Sequence, residues 1–426
     1  MRRLLLAAAA PALGAAIFIA ASVGPTAPGA RSGAENDAAG PPGASITALQ
    51  DHLRRQPKDT RSWATLGLTY VEEARASGDT AYYPKAQGAV DRALSLPGDD
   101  DLALSAAGAL AAARHDFAAA LRWGDRATAA NPYSAHAQTV RTDALVELGR
   151  YDEAAAAARR ADELQPGLPT FARLSYLAEL RGDTKTATAL LRRSHGPATA
   201  PADAAFVRFH LGELARGRGD YQLADREYAA ALAAAPSYVP ALAGRARVAA
   251  AMGDLDAAAG RYRSVVSRLP LPEYLTEFGE LLESLGRDAE AQEQYDVVRM
   301  TVELASANGV SADLEIALFE ADHGDRAVAL RAAQAEWKRR RSVDVADALA
   351  WALHVNGRDA EALKYARLAT SLGTKDARLR YHRGVIEDAL GRSADSRRSL
   401  SAALALNPQF SPLHAERARA VLGRMS

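Results

Sequence analysis

Cysteine is absent from this 426-residue chain. Its absence excludes disulfide bonds, thiolate metal sites, a nucleophilic thiol and a lipidated N-terminal cysteine. A charge excess is lacking too, since 52 lysines and arginines stand against 52 aspartates and glutamates. Because nucleic-acid-binding proteins normally carry a basic excess, the sequence favours partners other than nucleic acid.

Aromatic residues are scarce, at 6% of the chain, although hydrophobic residues as a whole reach 48%. Alanine and leucine therefore carry the apolar surface, which favours closely packed helices over sheets. A chain of this length exceeds the usual size of one compact core. We therefore expect either several domains or an array of repeats.

Common catalytic and metal-binding motifs are missing as well. The nine histidines show no His-Glu-x-x-His spacing, and no phosphate-binding loop, dinucleotide fingerprint or Gly-x-Ser-x-Gly turn is present. His210 and Glu213 lie three residues apart on one predicted helix face, which is too few ligands for a metal site. The sequence predicts no enzyme, no cofactor and no metal.

The N-terminus is typical of a targeting segment. Met1-Arg2-Arg3 is positively charged, and Leu4 to Val23 is apolar apart from Ser22. This pattern fits a cleaved export signal, and its length also fits a retained membrane anchor. Both alternatives predict an extracytoplasmic protein, secreted or anchored at the cell envelope. Residues 25–44, rich in Pro, Gly and Ala, are predicted to be a disordered linker.

From residue 45 onward the sequence is periodic. Aromatic, small and proline residues recur 34 positions apart, in the pairs Phe117 and Tyr151, Ala120 and Ala154, Ala127 and Ala161, and Pro132 and Pro166. Residues 63–70 read Trp-Ala-Thr-Leu-Gly-Leu-Thr-Tyr, which matches W-x2-L-G-x2-Y. In these patterns the chain resembles the tetratricopeptide repeat family.

This resemblance covers nearly everything after residue 45, and it is nearest to exported bacterial members of unassigned activity. It implies an all-α, right-handed superhelical solenoid of about ten helix-turn-helix repeats over residues 45–426, with a capping helix at the C-terminus. Three stretches exceed the regular period and are predicted to be inserted turns or loops: Ser77–Pro84, His195–Pro201 and Ala305–Gly309.

Within each repeat, small residues mark where the two helices are expected to cross. Glycine stands at the eighth position, at Gly67, Gly108, Gly212, Gly279 and Gly384. Tyr228, Tyr262 and Tyr295 at the twenty-fourth position are predicted to fill the gap toward the next repeat. Prolines such as Pro132 and Pro166 are predicted to end second helices, because proline lacks an amide donor.

In this family the first helix of each pair lines a concave groove, chiefly through positions 2, 5, 9, 12 and 13. The resemblance therefore implies a partner-binding surface with several exposed aromatics, although Phe206 and Phe209 could instead pack against the neighbouring repeat. The positions carried over are Tyr176, Glu179, Phe206, Phe209, Glu213, Arg216, Arg247, Glu280, Glu283, Asp344, Asp347, Trp351, His354 and Tyr381. The ninth positions contain no asparagine, so the carboxylate clamp of chaperone adaptors is not matched.

The densest basic run is Trp337-Lys-Arg-Arg-Arg341, at the end of a predicted second helix. There its cations complement the helix dipole, and Asp344 and Asp347 follow to compensate them. A docking patch for an acidic partner or for lipid headgroups is the alternative.

The leading hypothesis is a non-enzymatic scaffold outside the cytoplasm that binds a partner protein or peptide in the groove. A second is an assembly factor for exported metalloproteins or cytochromes, because Leu53-Arg-Arg-Gln-Pro57 followed by Trp63 resembles tetratricopeptide parts of such factors. A third is an enzyme acting on cell-wall polymer, which would need an acidic pair in a closed cleft.

Overall fold

The computed structural model describes residues 45–194 and 200–425. The predicted signal or anchor at 1–24, the predicted linker at 25–44 and most of the predicted loop at 195–201 lie outside the described residues. Within those residues the chain is helical and contains no strand. None of the described helices combines the length and the apolar character needed to cross a membrane.

The helices follow one another at short intervals. They are α1 (Ile46–Arg55), α2 (Thr60–Ser77), α3 (Tyr82–Leu94), α4 (Asp101–Ala113), α5 (Phe117–Ala130), α6 (Ala135–Glu147), α7 (Tyr151–Leu164), α8 (Leu168–Leu180), α9 (Thr184–Arg193), α10 (Pro201–Arg216), α11 (Tyr221–Ala234), α12 (Val239–Ala251), α13 (Leu255–Arg268), α14 (Pro272–Ser284), α15 (Asp288–Ala307), α16 (Asp313–His323), α17 (Arg326–Arg339), α18 (Val343–Val355), α19 (Asp359–Ala369), α20 (Ala377–Ala389), α21 (Ser393–Leu406) and α22 (His414–Arg424).

From α2 to α21 the helices form about ten pairs, preceded by the single helix α1 and followed by α22. Among α1–α7, α9–α14 and α16–α22, every extensive helix–helix contact joins helices one or two apart in chain order. This nearest-neighbour stacking is the mark of a repeat solenoid, in which each pair buries its apolar face only against the adjacent pairs. The all-α repeat architecture and the C-terminal helix are confirmed.

Local sequence signals set the helix ends. Ser45 accepts a hydrogen bond from the Ala48 amide at 3.2 Å and caps α1. Aspartates do the same for many later helices; the Asp100 carboxylate, for example, accepts from the amides of Leu102 and Ala103. Such caps satisfy amides that would otherwise lack partners in the first turn. Prolines follow the ends of α5, α7, α11, α13 and α21 within two residues.

The eighth-position glycines allow the two helices of a pair to touch, as predicted. A Cβ at Gly279 would overlap the ring of Tyr295, and one at Gly212 would overlap the ring of Tyr228. Both tyrosines are buried, at 6% and 0% exposure. The glycine therefore makes the space that the tyrosine of the same repeat fills.

Three predicted boundaries were wrong. Helix α10 begins at Pro201, which had been assigned to the preceding loop, because proline is favoured in the first turn of a helix. Helix α15 continues to Ala307, since Val302 and Ala305 are buried and extend its apolar face. Helix α3 begins at Tyr82, so only part of the predicted first-repeat insertion is non-helical.

The described residues divide into two compact units. The first comprises residues 45–173 and Ala305–Ser311. Here the loop after α15 meets the turns after α2 and α4: Asn308 Nδ2 lies 2.8 Å from Thr80 Oγ1, and the Ser311 carbonyl oxygen lies 2.6 Å from His115 Nδ1. Two of the stretches that exceed the 34-residue period are therefore in contact.

The second unit comprises residues 174–304 and 312–425. Its early turns meet its late loops, because Thr374 donates from Oγ1 to the Leu180 carbonyl oxygen at 2.6 Å. The Tyr221 hydroxyl likewise donates to Asn407 Oδ1 at 2.5 Å. The helical path of this unit therefore returns on itself, and its first helices enclose a common space.

Candidate functional site

Charged side chains of the second unit extend from its first helices into the enclosed space. We call this surface the lining; it comprises Glu179, Glu213, Arg216, Arg247, Glu273, Glu277, Glu280, Glu283, Asp344 and Arg378. At its centre Arg247 joins two neighbouring helices, with Nε 2.9 Å from Glu277 Oε1 and Nη1 3.5 Å from Glu213 Oε1. Arg216 pairs with Glu213 at 2.6 Å. Adjacent repeats thus share one network of ion pairs.

Tyrosines from the second helices hold the carboxylates of the lining in place. The Tyr228 hydroxyl donates to Glu213, the Tyr262 hydroxyl to Glu277 at 3.2 Å, and the Tyr295 hydroxyl to Glu283 at 3.1 Å. Burial opposes ionisation of Glu213, yet Arg216 and Arg247 hold the pKa of its carboxyl at about 2. Glu213 therefore stays charged over the whole physiological range.

Two other carboxyls of the lining lack this compensation. Burial, followed by the charges of Glu213, Asp376 and Asp344, raises the pKa of Glu179 to about 7. Burial also raises the pKa of Glu273 to about 7, against the attraction of Arg247. The acids that act on Glu179 come from α10, α18 and the loop before α20. Helices distant in sequence therefore turn their negative charge toward one another.

Beyond Arg247, the lining continues through histidine–carboxylate pairs. His323 Nε2 lies 3.3 Å from Glu280 Oε1, and its ring stacks on Tyr295 with the ring centres 4.4 Å apart. Although burial opposes it, the hydrogen bond and charge of Glu280 raise the pKa of His323. The pair holds Glu280 at the edge of the α16 surface.

Trp351 is the centre of a second, buried cluster at the end of the unit. Its Nε1 donates to Asp322 at 2.9 Å, and its ring stacks on His382 with the ring centres 4.1 Å apart. Asp347 lies 3.0 Å from His382 Nδ1, and Asp322 lies 3.5 Å from His414 Nε2. These contacts tie α16, α18, α20 and α22 together.

The prediction of exposed groove aromatics was wrong for Tyr176, Trp351 and Tyr381, whereas the burial of Phe206 agrees with the alternative that it packs inside the protein. The exposures of Tyr176, Phe206, Trp351 and Tyr381 are 8%, 4%, 4% and 2%. Phe206 contacts the ring of His210, and Tyr381 stacks on His414. A buried aromatic ring removes more apolar area from water than a ring exposed in a groove, and this gain favours the buried placement of these side chains.

Of the other predicted positions, most belong to the lining and three lie elsewhere. Glu213, Arg216, Arg247, Glu280 and Glu283 are partly exposed and belong to the lining. Phe209 is half-buried beside His210, whereas Asp347 is fully buried on His382. His354 pairs with Asp359 at 2.5 Å and stacks on Trp351.

His210 packs among aromatic rings. Its ring contacts Phe206 and Phe209, with ring centres 4.3 and 5.0 Å apart. Burial lowers the pKa of His210 to about 4, although the charge of Glu213 acts in the opposite direction. The imidazole is therefore neutral at physiological pH.

The sequence reasoning missed Glu273, Glu277 and Asp322. A usable signal existed for the first two, because Glu273, Glu277 and Glu280 are spaced to lie along one face of a helix. No local pattern distinguishes Asp322, whose role depends on Trp351 and His414 from later helices.

The basic run Trp337–Arg341 is largely neutralised. Arg340 is buried and pairs with the buried Glu336, and Arg339 pairs with Glu336 and Asp313. Trp337 packs edge-on against Tyr365 with the ring centres 5.2 Å apart. Asp347 was expected to compensate this run, but it faces His382 instead. Only Lys338, Arg339 and Arg341 of the run remain exposed.

Within residues 45–194 and 200–425, no group of three or more His, Asp or Glu side chains is arranged to hold a metal ion. The lining itself offers carboxylates and guanidinium groups. Such groups bind other charged or hydrogen-bonding chains.

Comparisons with known proteins agree with this architecture. The tetratricopeptide repeat family matches residues 139–167, which lie in α6, α7 and the turn between them. No curated protein matches the sequence.

Several solved structures are similar in fold. A tetratricopeptide repeat protein from Parabacteroides merdae shares 21% identity over 61% of this chain and 98% of its own, with a TM-score of 0.34. PilW, described as a type IV pilus biogenesis factor, shares 19% identity over 47% of this chain and 92% of its own, with a TM-score of 0.40. Human IFIT1, solved as a dimer with PPP-AAAA, shares 12% identity over 85% of this chain and 86% of its own, with a TM-score of 0.45.

The 34-residue period, the stacked helix pairs with glycines at their crossings and the family match at residues 139–167 together show that the chain contains tetratricopeptide repeats.

Proposed function

We propose that this protein is a non-enzymatic scaffold outside the cytoplasm, and that its lining binds an extended, lysine- or arginine-rich segment of a partner protein. Tetratricopeptide proteins are in general interaction scaffolds, and solenoids present extended concave surfaces for this purpose. The site and the chemistry of the partner are the specific parts of the proposal.

The charge of the lining carries the proposal. Its carboxylates outnumber its arginines, and the arginines present are already paired: Arg216 with Glu213, Arg247 with Glu213 and Glu277, and Arg378 with Asp344. Burial is the main cause of the raised pKa values of Glu179 and Glu273, and neighbouring carboxylates raise both further. A lysine or arginine from a partner would supply the missing positive charge, and clustered charge of one sign favours partners of the opposite sign.

An extended segment fits this surface better than a flat protein face. The lining is built from side chains of α8, α10, α12, α14, α18 and α20, with four from α14 and one or two from each of the others, so its groups follow the path of the repeats. A chain lying along that path would meet them in order, as in other modes of peptide recognition that use regular spacing.

The location of the protein outside the cytoplasm is part of the proposal and rests on the N-terminal sequence. The basic residues Arg2 and Arg3, followed by the apolar stretch from Leu4 to Val23, are typical of export signals. A fusion of residues 1–44 to a reporter that is active only after export would test it. An inactive reporter would contradict the extracytoplasmic assignment.

Binding can be tested by calorimetry on the full chain. We expect a short peptide of alternating lysine and alanine to bind, and its glutamate–alanine counterpart not to bind. The variant Glu179→Gln with Glu273→Gln should weaken binding roughly tenfold, since each lost charge pair in a partly desolvated site is worth about 1 kcal/mol or less. The matched control is Glu153→Gln with Glu163→Gln, two exposed carboxylates of α7. Equal binding of both peptides, or equal loss in both variants, would contradict the proposal.

A further inference from the structure

The contact that closes the second unit consists of two pairs of loops. We call it the seam; it joins Leu180–Gly182 to Gly373–Thr374, and Arg216–Tyr221 to Asn407–Gln409. Thr374 Oγ1 donates to the Leu180 carbonyl oxygen at 2.6 Å. Asn407 Nδ2 donates to the Arg216 carbonyl oxygen at 3.0 Å, and the Tyr221 hydroxyl accepts from the Gln409 amide at 3.1 Å.

The seam is polar, and it lies between loops and helix ends. Among α9–α14 and α16–α22 every extensive helix–helix contact joins helices one or two apart in chain order, so α10 and α11 do not pack broadly against α20, α21 or α22. The groups that meet at the seam are main-chain carbonyls and amides, a threonine hydroxyl, an asparagine amide and a tyrosine hydroxyl. Water replaces such hydrogen bonds at little net cost, whereas separating apolar helix faces is much more expensive.

The backbones also approach closely at one point of the seam. Gly182 has a φ of +72°, and a Cβ at this position would overlap the carbonyl oxygen of Gly373. Gly286, in the corresponding turn between α14 and α15, has a φ of +70° and open space around it. The two glycines therefore share a backbone conformation, but only Gly182 is needed for close contact.

We infer that the seam is a latch: it opens while the helix pairs stay folded, and its opening admits a partner chain to the lining. The inference rests on the proposed function, because it concerns access to the same surface. With the seam closed, the early and late repeats bound the enclosed space along this edge. Regions held by few apolar contacts open at lower free energy than packed helices, so the seam is the boundary that yields first.

The test uses thiol labelling and requires no partner, so the latch and the proposed binding can fail separately. The natural chain has no cysteine, and Glu283→Cys therefore places a single thiol on the lining, where the Glu283 side chain is 37% exposed. N-ethylmaleimide reports the reactivity of the thiol itself. A maleimide carrying a long poly(ethylene glycol) chain reports access by a chain-sized molecule.

We expect the long reagent to react much more slowly than N-ethylmaleimide in the closed protein. Gly182→Ala should raise the rate of the long reagent, because the added methyl group pushes the two loops apart. The matched control Gly286→Ala carries the same backbone strain without touching the seam, and should leave that rate unchanged. Tyr221→Phe removes two hydrogen bonds of the seam and should give roughly tenfold faster labelling by the long reagent.

A second measurement guards against loss of structure. Amide exchange in the α18 core should be unchanged in Gly182→Ala and Tyr221→Phe, while exchange at residues 373–375 and 407–409 should become faster. Equal rates for the two reagents in the natural seam would show that the lining is reached without opening, and would overturn the latch. Long-reagent rates that are the same in seam variants and control would overturn it as well.

Discussion

Asn308 donates a hydrogen bond from its side-chain amide to the Thr80 hydroxyl at 2.8 Å, although 228 positions separate them in the chain. Both residues lie in stretches that break the 34-residue period, and Thr80 is 2% exposed. Next to this contact, Ser311 donates from its amide to the Arg114 carbonyl oxygen at 3.3 Å. In the first unit, two irregular stretches are therefore places where repeats distant in sequence meet.

Replacing Asn308 by alanine should loosen this contact without unfolding the repeats. The buried Thr80 hydroxyl would lose its partner, at a cost of about 1 kcal/mol. We expect faster amide exchange at residues 79–82 and 308–311, measured by mass spectrometry. Gln292→Ala, an exposed position of α15, is the control. Unchanged exchange in Asn308→Ala would show that the contact does not hold the two loops together.

The glycines of the helix crossings allow a matched pair of substitutions with opposite signs. Gly279→Ala should destabilise the protein by about 1–3 kcal/mol, because its Cβ would overlap the Tyr295 ring. Gly88→Ala in α3 meets nothing within 4 Å and should stabilise it by about 0.5–1 kcal/mol through helix propensity. Thermal unfolding of both variants checks the signs. A stabilised Gly279→Ala would contradict the crossing geometry.

Glu315 should make stability fall as the pH rises. Its carboxylate oxygens are buried without a hydrogen-bond partner, and burial raises its pKa to about 7. Between about pH 4.5 and 7 the unfolded chain ionises this group while the folded protein keeps it protonated, so the folded state loses stability across that window. Glu315→Gln should therefore raise the free energy of unfolding at pH 8 by up to about 3 kcal/mol, seen as a higher melting temperature. Near pH 4.5 the melting temperature should change little. Glu293→Gln on exposed α15 surface is the control. An equal gain at both pH values would contradict the assignment.

His210 should have the opposite dependence, weakening the protein in acid. Its pKa of about 4 lies below the ordinary value of 6.5 because the ring is buried. Between pH 6.5 and 4 His210 is protonated in the unfolded chain but stays neutral in the folded protein. The free energy of unfolding therefore falls as the pH falls through this window. His210→Phe should lose less stability than the natural protein between pH 7.5 and 5, as measured by thermal unfolding. The difference at pH 7.5 gives the packing baseline, and parallel curves would contradict the prediction.

The positions of most helices could be predicted from the sequence because their signals are local. Asp and Ser caps, prolines after second helices and the glycine–tyrosine pairs act within one repeat, and the structure confirms them at Ser45, Pro132 and Gly279. The predicted lining positions Glu213, Arg247 and Glu280 follow from the same spacing, since position along a first helix decides which side chains face inward.

The sequence by itself therefore determined the repeat type, the helix pairs and the absence of cysteine chemistry. The tertiary structure decided which aromatics are buried, since Trp351 finds Asp322 and His382 only through neighbouring helices. It also decided how Glu179 ionises, because burial raises its pKa and is reinforced by acids of other repeats, among them Asp344 and Asp376 far along the chain. Each repeat adds a small rotation, and only the sum of many rotations brings Leu180 to Thr374 and Tyr221 to Asn407. The sequence of one 34-residue repeat does not determine these contacts between distant repeats.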